Sequence, residues 1–401
     1  MENKYLSSLS SRQKIWFIAI LIVILLIGIL GILCEPDKLS SQAGNQYTVN
    51  MSIQEIAPKL NVTGKGLARE LALPLDTPKQ RPLSELGISQ EQLDHATEHI
   101  LSHKSTNLKY FLFAAIVIYG LVFLTRLGRP ENSSISERKL WYPRIPYIAC
   151  LIIAVLLCGF VLGKSPNPME GVVKVFKSMV GLYPSVIDKF LALAFFLLLS
   201  IIGNKLLCGW ACPFGAIQEL FYSLPILRKM KKKKIPFWLT NTIRSGLFLV
   251  TLLFLFGIVG GKKGFVIYHY LNPFNLFNLD FEHWLILFSV IVFLVLSFFV
   301  YRPFCHLICP FGFISWIAER LSLTRVNIDH QKCTNCGACI RACPTEAAKG
   351  KVSDKLFGAD CFSCARCLNV CPVDAIRYCS VFSKAFCETP QKQHNSEKDS
   401  T

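Results

Sequence analysis

A cysteine pattern that occurs twice near the carboxyl terminus constrains this chain more than any other feature. Residues 333–344 read CTNCGACIRACP and residues 361–372 read CFSCARCLNVCP, so each copy follows C-x2-C-x2-C-x3-C-P. Three cysteines on a short loop can wrap one metal centre, and the proline turns the chain directly after the fourth cysteine. We therefore expect the surrounding fold to be organised around metal-bound thiolates.

This spacing holds cubane [4Fe–4S] clusters in bacterial ferredoxins, where the fourth cysteine of each run ligates the cluster of the other run. The predicted ligands are Cys333, Cys336, Cys339 and Cys371 for cluster 1, and Cys361, Cys364, Cys367 and Cys343 for cluster 2. Zinc is the alternative, but it needs neither the third cysteine of each triplet nor the closing Cys-Pro. Residues 326–380 resemble a two-cluster ferredoxin module, a small α+β domain.

The rest of the chain is apolar enough for a membrane protein. Apolar residues make up 52% of the sequence, and the mean hydropathy is +0.42. Six apolar stretches predict transmembrane helices, at 15–33, 110–125, 145–163, 190–207, 243–261 and 284–301. The first is interpreted as an uncleaved anchor, because no small-x-small cleavage site follows it.

The fold class predicted from these features is an α-helical polytopic membrane protein with two small appended domains. Its regions are an anchor helix (1–34), an extracytoplasmic helical subdomain (35–109), a transmembrane bundle (110–325), the ferredoxin domain (326–380) and a disordered tail (381–401). In the subdomain, helical spacing places Ile53, Ile56 and Leu60 on one face after a Ser cap, and a second helix begins at Ser89.

Charge gives the orientation. The formal net charge is +17, and the basic residues lie mostly in short stretches beside apolar runs, so we expect contact with the lipid bilayer and no nucleic acid. An even number of spans puts both termini on one side, together with the basic loop 126–144 and the run Lys231–Lys234. The positive-inside rule then places both termini and the ferredoxin domain in the cytoplasm of a bacterial inner membrane.

A second cysteine motif forms an internal repeat. The segments CGWACPFGAI (208–217) and CHLICPFGFI (305–314) share C-x3-C-P-F-G-x-I, and each directly follows a predicted span. If the two copies are related about the membrane normal, their cysteine pairs converge: Cys208, Cys212, Cys305 and Cys309. Four thiolates can hold a third iron–sulfur cluster or another thiophilic metal, and they can act as redox-active thiols. Packing of small residues at helix ends is the alternative.

Five histidines and one carboxylate carry weaker signals. His95, His99 and His103 recur every four residues, which predicts a solvated helix face rather than a metal site. Glu170 and His269 flank predicted spans near the outer interface and are candidate proton-handling groups, with simple solvation as the plainer interpretation. His306 has no counterpart in the first C-x3-C-P copy, so no ligand role is predicted for it.

Two C-x3-C-P motifs followed by two ferredoxin motifs resemble the NapH, NosR and MauN group of membrane polyferredoxins, over about residues 145–380. The resemblance implies electron transfer between the quinone pool and an extracytoplasmic redox enzyme, and a functional role for the C-x3-C-P cysteines. Residues 35–109 do not resemble the flavin-binding domain of NosR-type proteins, and the chain has no immunoglobulin-like tail like that of related assembly ferredoxins.

Three functions are therefore compared. The first is a membrane-bound iron–sulfur electron carrier between the quinone pool, or a cytoplasmic donor, and a respiratory partner, as in a component of a quinol dehydrogenase. The second is a copper-reducing assembly factor that uses the C-x3-C-P thiols. The third is a regulator that reports the redox state of its clusters to a partner.

Overall fold

A computed structural model describes most of the chain between residues 47 and 381. The described residues are 19–20, 22, 24, 47–60, 62, 64–74, 77–102, 106–127, 144–182, 186–224, 231, 234–259, 265–279, 284–353, 358, 360–373 and 375–381. The predicted first span lies almost wholly outside them. So do the predicted tail, most of the basic stretches that gave the orientation, and His103.

The described residues are mainly helical. The α-helices are α1 Ile53–Lys59, α2 Gly64–Glu70, α3 Gln90–Ser102, α4 Thr106–Leu127, α5 Arg144–Val155, α6 Pro168–Met179, α7 Val186–Ile202, α8 Pro213–Ser223, α9 Phe237–Leu255, α10 Trp284–Leu296, α11 Pro303–Leu307, α12 Pro310–Ala318, α13 Ala338–Ala342, α14 Ala347–Val352 and α15 Arg366–Val370. The strands are β1 Thr324–Ile328 and β2 Ile376–Ser380, which pair antiparallel with Thr324 opposite Ser380. Two π-helical turns occur, at Leu156–Val161 and Leu207–Ala211.

Residues 47–102 form a small helical unit with its own apolar core. Helix α1 begins after Ser52, which forms a capping box with Glu55. The predicted inward face is buried: Ile53 and Ile56 have no exposed surface, and Leu60 is 2% exposed. Helix α3 begins after Ser89, whose hydroxyl accepts the backbone N–H of Gln92 at 3.2 Å. Both predicted helix starts in this region are therefore confirmed.

Two described helices are long and apolar enough to cross a membrane, over Leu108–Thr125 and Phe237–Leu255. Two apolar helices are shorter, Pro146–Val161 and Trp284–Leu296. Helix α7 ends at Ile202, before the predicted limit of 207, because Asn204 and Lys205 adopt positive φ angles of 49° and 63° that no α-helix accommodates. The number of six spans stays a prediction.

The helices surround the two copies of the C-x3-C-P repeat. Helix α8 follows the first copy and packs against α5 and α10, and α12 follows the second copy and packs against α6, α7 and α9. Helix α6 buries Met169, Val172 and Val175 against this bundle. Its Lys174 and Lys177 remain partly exposed.

The ferredoxin domain rests on the segment between α7 and α8. The hydroxyl of Thr324 in β1 donates to the carbonyl of Ile202 at 2.6 Å, and the hydroxyl of Tyr378 in β2 donates to that of Gly203 at 2.9 Å. The indole N–H of Trp210 donates to the carbonyl of Ser363 at 3.2 Å. A single apolar core therefore runs from the bundle into the sheet.

A substitution at Gly209 can test this docking, because a Cβ at this position would lie 2.2 Å from the carbonyl oxygen of Phe362. Gly209→Ala should push the ferredoxin domain away from the bundle and cost about 1–3 kcal/mol, the usual penalty of overpacking. Thermal unfolding of the purified protein in detergent measures this. Gly246→Ala is the matched control, since a Cβ there meets nothing within 4 Å. Equal stability of the two variants would contradict the docking described above.

Candidate metal centres

The eight ferredoxin-type cysteines line two cavities of similar size, about 450 and 510 Å³ including space open to solvent. Cys333, Cys336, Cys339 and Cys371 line the first cavity. Cys343, Cys361, Cys364 and Cys367 line the second. Each cavity takes three cysteines from one run and the fourth from the other, which is the exchange that the spacing predicts. The binding of a cluster in each cavity stays a prediction.

The same backbone shape wraps both cavities. Asn335 and Ser363 have φ angles of 53° and 49°, and Gly337 and Ala365 have φ angles of 66° and 60°. Each of these pairs occupies the same position in its run, so both triplets follow one left-handed path into a short helix, α13 or α15. Ala365 carries the strain that the glycine of the first run avoids.

The donor set of each cavity fits a cubane cluster. Four cysteines line each cavity, three from one run and one from the other, and four thiolates in this arrangement are the ligands of a [4Fe–4S] cluster. Zinc would need neither the third cysteine of each triplet nor the exchange between the runs.

The two cavities differ in their surroundings. Cys336 at the first cavity is exposed, whereas Tyr301, Phe362 and Arg366 line the second, on the side of the bundle. Burial raises the pKa of the Cys364 thiol to about 11, and the nearby positive charge of Arg366 offsets part of this effect. The first cavity thus faces the solvent, and the second lies at the junction with the bundle.

The four cysteines of the C-x3-C-P repeat meet inside the bundle. Every pair among them is close enough to interact electrostatically. Cys212 and Cys309 occupy the N-cap positions of α8 and α12, and the Sγ of Cys309 accepts the backbone N–H of Gly312 at 3.4 Å. The Sγ of Cys208 lies 4.0 Å from the hydroxyl of Ser315. The structure thus brings the two copies together, as the internal repeat predicts.

The glycine of each C-P-F-G segment permits this approach. A Cβ at Gly312 would lie 2.6 Å from the carbonyl oxygen of Cys305, and one at Gly215 would lie 3.0 Å from that of Cys208. The helix after each motif therefore folds directly over the cysteine that begins the motif.

A basic residue stands three positions before the first cysteine of each copy, and the sequence analysis did not identify it. These residues are Lys205 and Arg302, and both adopt left-handed conformations, with φ angles of 63° and 44°. Neither side chain has any exposed surface. The signal was present in the sequence as an extended repeat, [K/R]-x2-C-x3-C-P-F-G-x-I.

Each basic side chain reaches across to the other copy of the repeat. The Nη1 and Nη2 atoms of Arg302 donate to the carbonyls of Cys208 and Gly209 in the first copy. The Nζ atom of Lys205 donates to the carbonyl of Gly312 in the second copy at 3.3 Å. The two copies are therefore joined by reciprocal contacts.

Asp360, directly before Cys361, connects the ferredoxin domain to this arrangement. Its carboxylate accepts Lys205 Nζ and Arg244 Nη1, each at 2.7 Å, and no part of the side chain is exposed. Burial opposes ionisation of Asp360, but the charges of Arg244 and Lys205 outweigh it and hold its pKa well below the usual range. Asp360 is thus a buried anion between two cations.

Glu219 in α8 is a second buried anion that lies between two cations. It accepts Arg302 Nε at 3.1 Å and Arg366 Nη2 at 2.5 Å. Burial alone would raise the pKa of Glu219. The charges of Arg366 and Arg302 outweigh this effect, so the pKa lies below its usual value. Because Arg366 belongs to the second ferredoxin run, Glu219 also joins the bundle to the second cavity.

His306 contributes a polar atom at the edge of a third cavity. Its Nδ1 lies 3.4 Å from Asp360 Oδ2, and its buried Nε2 has no hydrogen-bond partner among the described residues. Burial lowers the pKa of the imidazole, so the ring is neutral at pH 7. Residues of the bundle and of the ferredoxin domain line this cavity together: Tyr222, Lys234, Phe237, Phe299, Tyr301, Pro344 and Thr345.

The other candidate residues lie apart from these centres. Glu170 forms an ion pair with Lys174 at 2.7 Å on α6, and His269 contacts the Nζ of Lys177. His95 is exposed on α3, and the side chain of His99 lies outside the described residues. Cys150 and Cys158 are buried in the bundle core.

Most of the described cysteines form no disulfide. Fourteen of the described cysteines are free, including all twelve in the two kinds of motif. Cys379 in β2 differs, because it is disulfide-bonded, and it belongs to neither motif.

Comparisons with known proteins give the same cofactor class. A 4Fe-4S binding domain model matches residues 190–234, and two 4Fe-4S dicluster domain models match residues 303–347 and 332–376. The first match contains Cys208 and Cys212, so cluster-type models cover the membrane repeat as well as the ferredoxin runs. The chain carries iron–sulfur domains.

Three curated relatives are similar to this chain over 36–46% of its length. YccM of Escherichia coli K12, a protein named for electron transport, is 27% identical over 194 residues, 46% of this chain and 54% of YccM. The regulatory protein NosR of Stutzerimonas stutzeri is 29% identical, over 36% of this chain and 20% of NosR. The ferredoxin-type protein NapH of Haemophilus influenzae is 27% identical, over 36% of this chain and 49% of NapH.

The predicted resemblance to the NapH, NosR and MauN group is confirmed. The chain spans only about half the length of YccM and of NapH. No solved structure matches it. YccM and NapH are named as electron-transport and ferredoxin-type proteins, which agrees with an iron–sulfur protein of the electron-transport class.

Asp360 gives a prediction for the buried charges. Asp360→Asn leaves Lys205 and Arg244 without their carboxylate, and the loss of one partner from a buried pair costs about 3–5 kcal/mol. Chemical unfolding of the purified protein should detect a loss of this size. Asp329→Asn is the control, because its pair with Lys332 is partly exposed and 3.9 Å long and should contribute at most about 1 kcal/mol. Similar losses in both variants would be inconsistent with the described network.

Proposed function

We propose that this protein is a membrane-bound iron–sulfur carrier that relays electrons between the quinone pool and a respiratory redox partner. The observation that carries the proposal is the pair of cavities, each lined by four cysteines drawn from both runs. Cubane clusters transfer single electrons, with potentials that the surrounding protein sets between about −700 and +450 mV. The protein supplies the cysteine ligands, shields the clusters from solvent and holds them at fixed positions.

In this proposal the first cluster is held by Cys333, Cys336, Cys339 and Cys371, and the second by Cys361, Cys364, Cys367 and Cys343. The second cavity adjoins the bundle and the first faces solvent. The solvent-facing centre would then exchange electrons with the cytoplasm, and the inner centre would exchange them with the bundle.

We further propose that the cavity at His306 receives the ring of a quinone. It has about the same volume as the first cysteine-lined cavity, near 450 Å³. Aromatic side chains line it, and the unpartnered Nε2 of His306, whose Nδ1–H faces Asp360, can accept the hydroxyl of a quinol. Pro344 and Thr345, next to the cluster ligand Cys343, line the same cavity, so a bound ring would lie beside the second centre.

The proposed setting is a bacterial inner membrane, with six spans and with the ferredoxin domain and both termini in the cytoplasm. Two apolar helices of sufficient length support a membrane location. The basic stretch that includes Lys231–Lys234 adjoins the ferredoxin domain, since Lys234 donates to the carbonyl of Ile340, and anionic lipid attracts such stretches on the cytoplasmic side. Residues 35–109 would then face an extracytoplasmic or membrane redox partner.

Electron relay is favoured over copper reduction because a 4Fe-4S binding domain model matches residues 190–234, which contain Cys208 and Cys212. A regulatory role draws support from the name of NosR alone. Copper that co-purifies with the protein and is lost in Cys208→Ala would favour the assembly role, and altered transcription with normal respiration on deletion would favour the regulator.

The ligand assignment predicts the effect of removing one cysteine. Cys336→Ser should abolish one cubane signal in electron paramagnetic resonance spectra and remove about four iron atoms per chain, while the second ferredoxin signal remains. Iron and acid-labile sulfide are measured on anaerobically purified protein. Cys150→Ala, which changes a buried cysteine outside every motif, should leave the iron content unchanged. An unchanged iron content in Cys336→Ser would refute the assignment.

The quinone site predicts a separate effect. His306→Ala should slow the reduction of the clusters by a short-chain quinol at least about fivefold, since loss of a buried hydrogen bond to a ligand costs about 1–3 kcal/mol. Reduction is followed by electron paramagnetic resonance in membrane vesicles. Reduction by dithionite, which needs no binding site, should be unaffected, and His95→Ala on the exposed face of α3 serves as the control. A normal quinol rate in His306→Ala would exclude this cavity.

A further inference from the structure

The buried charges around the C-x3-C-P cysteines do not balance. Two carboxylates, Asp360 and Glu219, face four cations: Lys205, Arg244, Arg302 and Arg366. Only Arg366 has an exposed fraction, 14% of its side chain, and the other five side chains have none. Glu319 lies within electrostatic range of Lys205, but it also faces Lys351, so this further pair leaves the difference unchanged. The six side chains therefore carry a surplus of two positive charges, and only Arg366 among them has contact with water.

Such a surplus needs a nearby anion. The penalty for removing an ion from water is several kcal/mol in real proteins, and it is recovered only where the charge is paired. The carbonyls of Cys208, Gly209 and Gly312 that accept Lys205 and Arg302 offset part of the cost, because they are dipoles. They carry no net charge, so the surplus remains.

The four cysteines can supply the missing negative charge. Cys208 lies within electrostatic range of both Lys205 and Arg302, and Arg302 also acts on Cys212 and Cys305. Four thiolates around a cubane core keep a net negative charge, since the thiolates outweigh the core. The positive surplus and the four thiols are thus complementary.

The arrangement of the two cations suits a group shared by both copies of the repeat. Lys205 belongs to the first copy and contacts the second, and Arg302 belongs to the second and contacts the first. Both residues maintain left-handed backbone conformations that are unfavourable for long side chains. Strain of this kind persists where the surrounding structure requires it, and it is common at functional sites.

We propose that Lys205 and Arg302 are the counter-charges of one anionic iron–sulfur cluster that Cys208, Cys212, Cys305 and Cys309 hold between the two copies of the repeat. The two cations do not ligate the metal. They act through charge, stabilising the more negative, reduced form of the cluster and so raising its reduction potential. This inference rests on the proposed electron-relay function and adds a third centre to it.

The proposal is tested on the full-length protein, purified anaerobically in detergent, by iron analysis and by redox titration monitored with electron paramagnetic resonance. The wild-type protein should hold about twelve iron atoms and Cys212→Ser about eight, with both ferredoxin signals intact. Lys205→Met and Arg302→Met should lower the potential of the third signal, or abolish that signal alone. Lys205→Arg and Arg302→Lys, which keep the charge, should restore it to near its wild-type potential.

A second pair of variants avoids the buried ion pairs, in case the methionine variants do not fold. Ser315 is fully buried, and its hydroxyl lies 4.0 Å from the Sγ of Cys208. Ser315→Asp places a negative charge beside the centre and should lower the third potential, or abolish the third signal alone. The neutral, nearly isosteric Ser315→Asn should change the potential much less. The ferredoxin signals should be unchanged in both.

Three results would overturn the proposal. The first is about eight iron atoms in the wild-type protein without a third signal. The second is a third signal whose potential is the same in Lys205→Met, Arg302→Met and Ser315→Asp as in the wild type. The third is equal shifts in Ser315→Asp and Ser315→Asn, which would mean that charge is not the cause. All three leave the two ferredoxin clusters, and so the proposed relay, intact, whereas loss of every iron signal in the wild type would refute the relay itself.

Discussion

The buried carboxylate of Asp360 is the contact on which the rest of the structure depends. It lies in the ferredoxin domain and pairs at 2.7 Å with Lys205 from the first repeat and with Arg244 from α9. A charge in this position is tolerated only because its partners are held rigidly around it. One residue therefore fixes the ferredoxin run that begins at Cys361 relative to both copies of the membrane repeat.

Glu219 completes the arrangement from the opposite side. Asp360 is an anion of the ferredoxin domain that binds cations of the bundle, and Glu219 is an anion of the bundle that binds Arg366 of the ferredoxin domain. Hydrogen bonds such as that from Trp210 to Ser363 hold the neutral surfaces between them. The bundle and the ferredoxin domain thus form one unit through charges of both signs and a shared apolar core.

Local and periodic features were predictable from the sequence, and long-range ionic ones were not. The capped starts of α1 and α3, the inward face of Ile53 and Ile56, and the convergence of the C-x3-C-P copies follow from spacing alone. The end of α7 was misplaced, because apolar composition continues through Leu206 and Leu207 while the backbone at Asn204 and Lys205 is already left-handed. The partners of Lys205 and Arg302 lie in other elements, more than eighty residues away along the chain, and no periodicity relates them. The basic residue at the same place in both copies was the available clue.

The continuous apolar core between the bundle and the sheet affects the rate at which a ferredoxin domain can exchange electrons with its partner. A freely diffusing ferredoxin must meet its partner anew for each electron, so its turnover depends on concentration and on ionic strength. Here the Thr324 and Tyr378 hydroxyls tie both strands to the backbone of Ile202 and Gly203, so the cysteine-lined cavities keep constant separations from the repeat. In the proposed relay, electron transfer between these centres is therefore intramolecular and does not depend on the diffusion of a separate carrier.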